Sequence, residues 1–489
     1  MDIRPNLDPA SETPLYRQLA LFIQDLVRAG RLSVGDRLPP TRDLAGQLGL
    51  NRTTVSAAYE VLETEGLITG QVGRGSFIAE PVTQTSSRAS SGMDWVRFFE
   101  SSPPPLPRVP SFTGADVISF SASRPSEDLF PLANLRASAE AVLGSPELGS
   151  ILQLGPPGGH EPLRRYLLDN AREEGLARPG DDILITNGCQ QALDLLCRVL
   201  IRAGDTVVVE DPVYPGLRNL FQEAGANLVG ADPARLGSFL QCRNVRAVIL
   251  TPTFQNPTGE TLSEKTRESV TEAVRRAGAV LIENDIYSQL RYAGEPLPTL
   301  KKLGETGDSV ILRSFSKIAF PGLRVGWMIG PRPLIARLME ARQLADLHGD
   351  QLSQALLLEF AQSGSLAGHL ARTLETGRER LGALLAALEM YMPEGVTYSR
   401  PEGGMNVWVR LPGLIDTFDL LQQAHREGVT YIPGRHFAVS RPHHHALRLS
   451  FAGLEPEAIT SGVVRLARAI ASELETLDRH QREPVPALV

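Results

Sequence analysis

Leu15, Leu19, Ile23 and Leu26 recur at helical spacing behind Pro14, a good first helical residue, and Gly30 ends the run. A second short helix is predicted after Pro39-Pro40, with Leu44 and Leu48 on one face and Gly49 as its stop. Asn51 can cap a third helix, which holds Val55, Tyr59 and Leu62 on one face and stops at Gly66. Leu67-Ile68-Thr69 and Gly73-Arg74-Gly75-Ser76-Phe77-Ile78 then read as two strands of a hairpin with a glycine-rich tip. The pattern predicts a small domain of three helices and a hairpin, placed at residues 10–80.

Residues 81–115 are rich in Ser, Thr and Pro, including Ser101-Ser102-Pro103-Pro104-Pro105, and read as a partly stiffened linker. From Asp116 apolar runs alternate with amphipathic helical stretches. Strands are predicted at Asp182–Thr186, Thr206–Glu210, Ala247–Thr251, Ala279–Glu283, Val310–Arg313 and Val325–Ile329. Helices between them imply an α/β domain over 116–480 built on a largely parallel, doubly wound sheet. Beyond Arg332 the pattern is mostly helical, with shorter strands at Asn406–Arg410 and Leu447–Phe451, which suggests a smaller α/β subdomain.

Composition adjusts this picture in four ways. No apolar run approaches the roughly 18 residues of a membrane span, and the first residues are too polar for a signal peptide. Three cysteines (Cys189, Cys197, Cys242) offer neither metal spacing nor a disulfide framework, which points to a reducing cytoplasm. The formal net charge of −7 argues against unspecific attraction to nucleic acid. Positive charge is nearly all arginine: Lys265, Lys301, Lys302 and Lys317 are the only lysines. A lysine inside a chemically suggestive motif therefore stands out.

In the small domain, Thr41–Leu48, the glycine turn and Asn51–Val55 have helix-turn-helix spacing. The second helix of that motif lies in the DNA major groove, its N-terminal residues nearest the base edges. Arg52, Thr53 and Thr54 hold that position, Arg42 begins the preceding helix, and Arg74 sits at the hairpin tip. Overall charge does not favour DNA, because the eight arginines from Met1 to Glu80 inclusive are outnumbered by ten acids; the placement of Arg42, Arg52 and Arg74 does. The alternative is a helical domain with merely solvated arginines. The stretch from Pro14 to Ala79 resembles the GntR-type winged-helix domain, with its G-D-R-L-P turn, R-x-L-A helix start and glycine-tipped wing. The resemblance implies operator contacts at Arg42, Arg52, Thr53 and around Gly73.

In the large domain several residues fall at predicted strand ends, where open α/β sheets bind ligands. Lys317 follows Val310–Arg313 in Ser314-Phe315-Ser316-Lys317, flanked by Ser314 and Arg324. Asp285 and Tyr287 follow Ala279–Glu283, and Asn256 lies in Asn256-Pro257-Thr258-Gly259. Gly188-Cys189-Gln190 turns from a strand into a helix, where backbone N–H groups suit a phosphate. Tyr214 follows Asp211-Pro212. An amine, an acid for a ring nitrogen, donors to a phenolic oxygen, a stacking ring and an anion cradle are what pyridoxal phosphate requires. Lys317 is the candidate Schiff-base lysine, Asp285 the partner of the pyridine nitrogen, and Asn256 and Tyr287 those of O3′. Tyr214 would stack on the ring; Gly188, Cys189, Gln190 and Arg324 would hold the phosphate.

This order resembles the fold-type I aminotransferases over about 116–475. The resemblance implies the same roles and adds Ser314 to the phosphate contacts and Arg448, which matches the arginine that grips a substrate α-carboxylate. Two positions depart from it: Cys189 stands where a hydroxyl is usual, and Leu154 where a tyrosine commonly reaches the partner subunit's phosphate. His443-His444-His445 reads as a solvated loop, since three adjacent histidines cannot face one metal ion.

Head, linker and body in this order resemble the MocR-type subfamily of GntR regulators. That implies a homodimer on double-stranded operator DNA, with pyridoxal phosphate or its adduct with an amine or amino acid as the signal. The competing reading is an active aminotransferase carrying a DNA-binding head.

Overall fold

A computed structural model of the chain describes residues 5, 7, 14–28, 31–64, 67–71, 75–79, 93, 95, 116–240, 244–304, 309–413 and 415–482. Gly30, Gly66, Cys242, Arg74 and almost all of the linker lie outside the described residues, as does the Arg42 side chain. The chain divides into two compact units, Met1–Pro105 and Leu106–Val489.

In the first unit α1 (Leu15–Arg28), α2 (Thr41–Leu48) and α3 (Arg52–Thr64) precede an antiparallel pair, β1 (Ile68–Gln71) and β2 (Gly75–Ile78). Pro14 lies one place earlier than expected: its carbonyl accepts from Arg17 and Gln18, so it precedes the first helical residue. Leu19, Ile23, Leu44, Val55 and Leu62 are fully buried and form the common core. Gly49 ends α2 with a φ of +63°, a left-handed cap that suits glycine. The Asn51 side chain caps α3 by accepting from the Thr53 N–H at 3.2 Å. The Tyr59 hydroxyl donates to the Pro39 carbonyl at 2.7 Å, tying α3 to the turn ahead of α2.

The second unit opens with β3 (Ile118–Ser119) and builds a seven-stranded sheet. Its strands are β4 (Asp181–Thr186), β5 (Thr206–Glu210), β6 (Asn227–Ala231), β7 (Ala247–Leu250), β8 (Val280–Asn284), β9 (Ser309–Ser314) and β10 (Gly326–Pro331). Their order is β4-β10-β9-β8-β7-β5-β6, with β10 antiparallel to both neighbours and the other pairs parallel. The antiparallel step follows from chain length. Residues 315–325 are too few for a helical crossover, which takes a dozen or more, so the chain turns back directly. That turn carries Lys317.

Strand alternation sends side chains to opposite faces. Val207, Val209, Ile249, Ile282 and Leu312 pack with helices Cys189–Leu200 and Arg332–Asp346 on one side. Val208, Val248 and Leu281 meet Val270 and Val274 of helix Glu264–Ala277 on the other. Strand β6 was not foreseen: it is an edge strand without a fully buried residue, so its apolar signal is weak.

The smaller part holds β11 (Thr397–Tyr398), β12 (Asn406–Arg410), β13 (Val429–Thr430), β14 (Ile432–Pro433) and β15 (Ala446–Ser450). Four of these form an antiparallel sheet in the order β11-β12-β15-β14, while β13 pairs in parallel with β3. That pairing delivers the segment after β3 to Arg448: Ser450 donates its N–H to the Phe120 carbonyl at 2.9 Å.

Candidate functional site

Strands β5, β7, β8 and β9 end at one edge of the large sheet, and a cavity of about 330 Å³ opens there. Cys189, Gln190, Tyr214, Asn256, Tyr287, Ser314, Lys317, Arg324 and Arg448 all line it. Gly188 and Asp285 do not line it, but their chain neighbours Cys189, Asn284 and Ile286 do. Ser123, Leu193, Thr251, Asn284, Ile286 and Ser316 also line it and were not singled out from the sequence. Ser123 follows a two-residue strand, and nothing in its local pattern marks it.

The Lys317 ammonium donates to the Ser123 carbonyl at 2.6 Å and lies 5.8 Å from the centre of the Tyr287 ring. The Ser123 hydroxyl is buried without a hydrogen-bond partner. The Ser314 hydroxyl donates to the Val325 carbonyl and accepts from the Ser316 N–H at 3.0 Å, which ties the two ends of the Lys317 turn together. Arg324 holds a left-handed φ of +55° and donates to the Asn187 carbonyl at 3.2 Å.

Gly188 precedes helix Cys189–Leu200 with a φ of +81°. A Cβ there would lie 2.6 Å from Arg324 Nη2, so a side chain would fill the space between the helix start and the guanidinium. The Gln190 side chain donates to the Gly216 carbonyl at 3.1 Å. Burial pushes the Cys189 thiol up to about 12 against the opposing influence of Lys317 and Arg324, so it stays protonated at neutral pH. Its Sγ contacts the Arg313 carbonyl at 3.5 Å.

Asp285 is buried, and its Oδ1 has no hydrogen-bond partner. Its Oδ2 accepts from Arg313 Nε at 2.9 Å, while Arg313 Nη1 reaches Glu174 at 2.8 Å. Burial raises the Asp285 carboxyl, and Arg313 opposes that. Neither Arg313 nor Glu174 was singled out from the sequence. The available signal was a charged residue closing an apolar strand just ahead of the lysine motif.

Arg448 is buried, donates from Nη1 to Asn256 Oδ1 at 3.1 Å and to the Ser121 carbonyl, and leaves Nε without a partner. Burial lowers its guanidinium to about 10, with Tyr287 and Tyr214 acting the other way, so it remains cationic at neutral pH. Tyr214 is partly exposed at 38% and rests against Gly216. Leu154 is 73% exposed.

The three histidines point apart. His443 meets Asp211 at 2.9 Å, His444 approaches Asp416 at 3.3 Å, and His445 contacts the Ile415 carbonyl at 2.7 Å. His444 and His445 are exposed and His443 is half-buried, and each ring also finds a partner in the neighbouring loops. Among the described residues no group of His, Cys, Asp and Glu is arranged to hold a metal ion. No described helix is long and apolar enough to cross a membrane.

In the first unit Arg52 and Thr53 are exposed at the start of α3, and Thr54 is half-buried beside them. Arg42 is the second residue of α2, and Arg74 lies outside the described residues.

Residues 15–78 match the bacterial regulatory proteins of the gntR family, and residues 115–466 match aminotransferase class I and II. Aromatic-amino-acid aminotransferase 1 of Thermococcus litoralis is 36% identical over 74% of the chain and 89% of its own length. The HTH-type transcriptional regulator YdfD of Bacillus subtilis is 30% identical over 95% of the chain and 98% of its own length. Among solved structures, the α-aminoadipate aminotransferase LysN of Thermus thermophilus, complexed with N-(5′-phosphopyridoxyl)-L-leucine, superposes with a TM-score of 0.69. It is 34% identical and covers 74% of this chain and 94% of its own.

Proposed function

Because the chain belongs to the aminotransferase class I and II family by its body and to the MocR-type GntR regulators by head and body together, we propose that its cavity is a pyridoxal phosphate sensor coupled to operator binding. The sensed molecule is pyridoxal phosphate itself or its adduct with an amine or amino acid. The observation that carries this is one chain holding both an exposed Arg52-Thr53 helix start and a cavity lined by Lys317 and Arg448.

The cavity residues fit the cofactor. Asp285 Oδ1, buried and unpaired, suits the ring N–H, and the space that a Gly188 side chain would fill suits a phosphate beside Arg324. When bound, pyridoxal phosphate supplies an aldehyde for amines and an electron-withdrawing ring. Lys317 is assigned to the aldehyde, Asn256 and Tyr287 to O3′, and Tyr214 to the ring face. The N–H groups of Gly188, Cys189 and Gln190, with Ser314 and Arg324, are assigned to the phosphate. Arg448 is assigned to the effector carboxylate, which a cationic, desolvated guanidinium can grip in bidentate fashion. Arg42, Arg52, Thr53, Thr54 and Arg74 are assigned to DNA.

An effector changes DNA affinity only if it binds two arrangements of the protein unequally. Operator affinity is therefore measured with and without pyridoxal phosphate and candidate amines, beside Lys317→Ala and Arg52→Ala. Arg52→Ala should cost about 1–3 kcal/mol of operator affinity. Identical wild-type affinity under every ligand condition would refute the sensor reading.

An active aminotransferase is the second reading, favoured by the retention of Lys317, Asp285 and Arg448. Cys189 and Leu154 weigh against it, because a thiol is a weaker hydrogen-bond donor than the usual hydroxyl and a leucine side chain offers no hydrogen bond. Rapid repeated turnover with an amino acid and a keto acid would favour the enzyme.

The protein is further assigned as a cytoplasmic homodimer. Leu152 and Leu154 lead to Gly155, whose Cα packs on Gln351, and Leu344 and Leu347 precede the same glutamine. These four leucines are 58–91% exposed, an apolar concentration that suits a second copy.

A further inference from the structure

Arg313 is a largely buried cation on a sheet face that also carries the buried Glu283 beside Ile311. It stands opposite Trp327 of β10, in the layer that holds Ile311 and Ile329. A guanidinium drawn from water in this way is tolerated when its hydrogen bonds are met by an anion. Two anions meet this one, Asp285 at 2.9 Å and Glu174 at 2.8 Å. Side-chain exposure rises along the row, from 1% at Asp285 to 13% at Arg313 and 50% at Glu174. Alternating charges thus run from behind the cavity to the surface. Neither Arg313 nor Glu174 lines the cavity, so both reach it through Asp285.

We propose that Arg313, backed by Glu174, is a positioning residue: it fixes Asp285 as a carboxylate with Oδ1 offered to the cofactor's ring nitrogen, and it limits how much positive charge the bound cofactor holds. The inference rests on the pyridoxal phosphate reading above.

Several influences act on Asp285. Burial favours its protonated form, and Glu283 on β8 adds repulsion. Arg313 is the largest opposing influence, with Ser288 and the more distant Arg267 of helix Glu264–Ala277 assisting. Lys317 and Tyr287 face the same region from the cavity side. A buried carboxylate paired with a guanidinium stays ionised where a lone one takes up a proton. The same guanidinium is a fixed positive charge behind the ring nitrogen, so it disfavours a further proton on the cofactor or on its link to Lys317. Glu174 offsets part of that charge, weakly, because water screens it.

The test loads the full-length protein with pyridoxal phosphate and follows its long-wavelength absorbance against pH. Arg313→Met should raise the midpoint of that titration by about one pH unit. Arg313→Lys, which keeps the charge, should stay near wild type. Glu174→Gln should lower the midpoint by a smaller amount, since it strips the guanidinium of its counter-charge. Coincident midpoints for wild type, Arg313→Met and Glu174→Gln overturn the proposal, as does an upward shift in Glu174→Gln. If Arg313→Met fails to fold, wild type against Glu174→Gln decides, and an unmoved midpoint overturns it. A folded wild type that takes up no pyridoxal phosphate sinks the cofactor reading itself, and this inference with it.

Discussion

Lys317 owes its position to a turn rather than to packing. Its ammonium rests on the Ser123 carbonyl at the cavity wall, so replacing it removes little buried apolar surface. Lys317→Ala is expected to keep its thermal midpoint within a few degrees and to lose the absorbance of a lysine-bound cofactor; persistence of that absorbance would reassign the site. Glu210, at the end of β5, gives a pH prediction. It is 6% exposed, and burial lifts its carboxyl from 4.5 to about 7 in the fold, against a hydrogen bond from the Thr251 N–H. The folded state therefore holds this proton more tightly than the unfolded chain. Its contribution to stability is complete below the unfolded value and is lost as pH rises through about 7. Glu210→Gln, which does not titrate, should gain roughly 1–3 kcal/mol on wild type between pH 5 and pH 8 in urea unfolding. A constant difference across that range would show that Glu210 does not titrate there.

Single elements decide how an anion can be held. The turn from β4 into helix Cys189–Leu200 passes through Gly188 at a φ that side chains rarely adopt, with Arg324 against its Cα. Gly188→Ala should strain the turn and displace the guanidinium, weakening retention of pyridoxal phosphate roughly tenfold, about 1.4 kcal/mol. Equilibrium dialysis measures this, and unchanged affinity would place the phosphate elsewhere. Much of this architecture was legible in the chain. Strand ends at Thr186, Glu210 and Arg313 were placed within a residue because buried parallel strands read as short apolar runs between turn residues. Edge strand β6 was not, since half-solvated positions carry little pattern.

For the whole molecule, the expectation that can be tested apart from the cofactor is self-association. Leu344 is 91% exposed on helix Arg332–Asp346, and Leu154 is 73% exposed. Charges at both, Leu344→Glu with Leu154→Glu, should shift sedimentation toward the monomer while the far-ultraviolet circular dichroism stays unchanged. A wild type that sediments as a monomer at micromolar concentration would remove the homodimer from the proposal. The match of regulators along 95% of the chain, against 74% for an aminotransferase, says that the head belongs to the relationship as much as the body does.

Local chemistry was enough to read the helix-turn-helix, the parallel strands and the residues at their ends. Helical and strand periodicities, glycine stops and short polar motifs are written in consecutive positions. The partners that lie far apart in sequence were not legible. Ser123 beneath Lys317, the Arg313 and Glu174 pair behind Asp285, and Asn256 against Arg448 are separated by 194, 139 and 192 positions. Those distances close through the parallel crossovers and the β3–β13 pairing. Folding must bury these charges, and a buried charge takes whichever counter-charge or dipole the topology delivers to it.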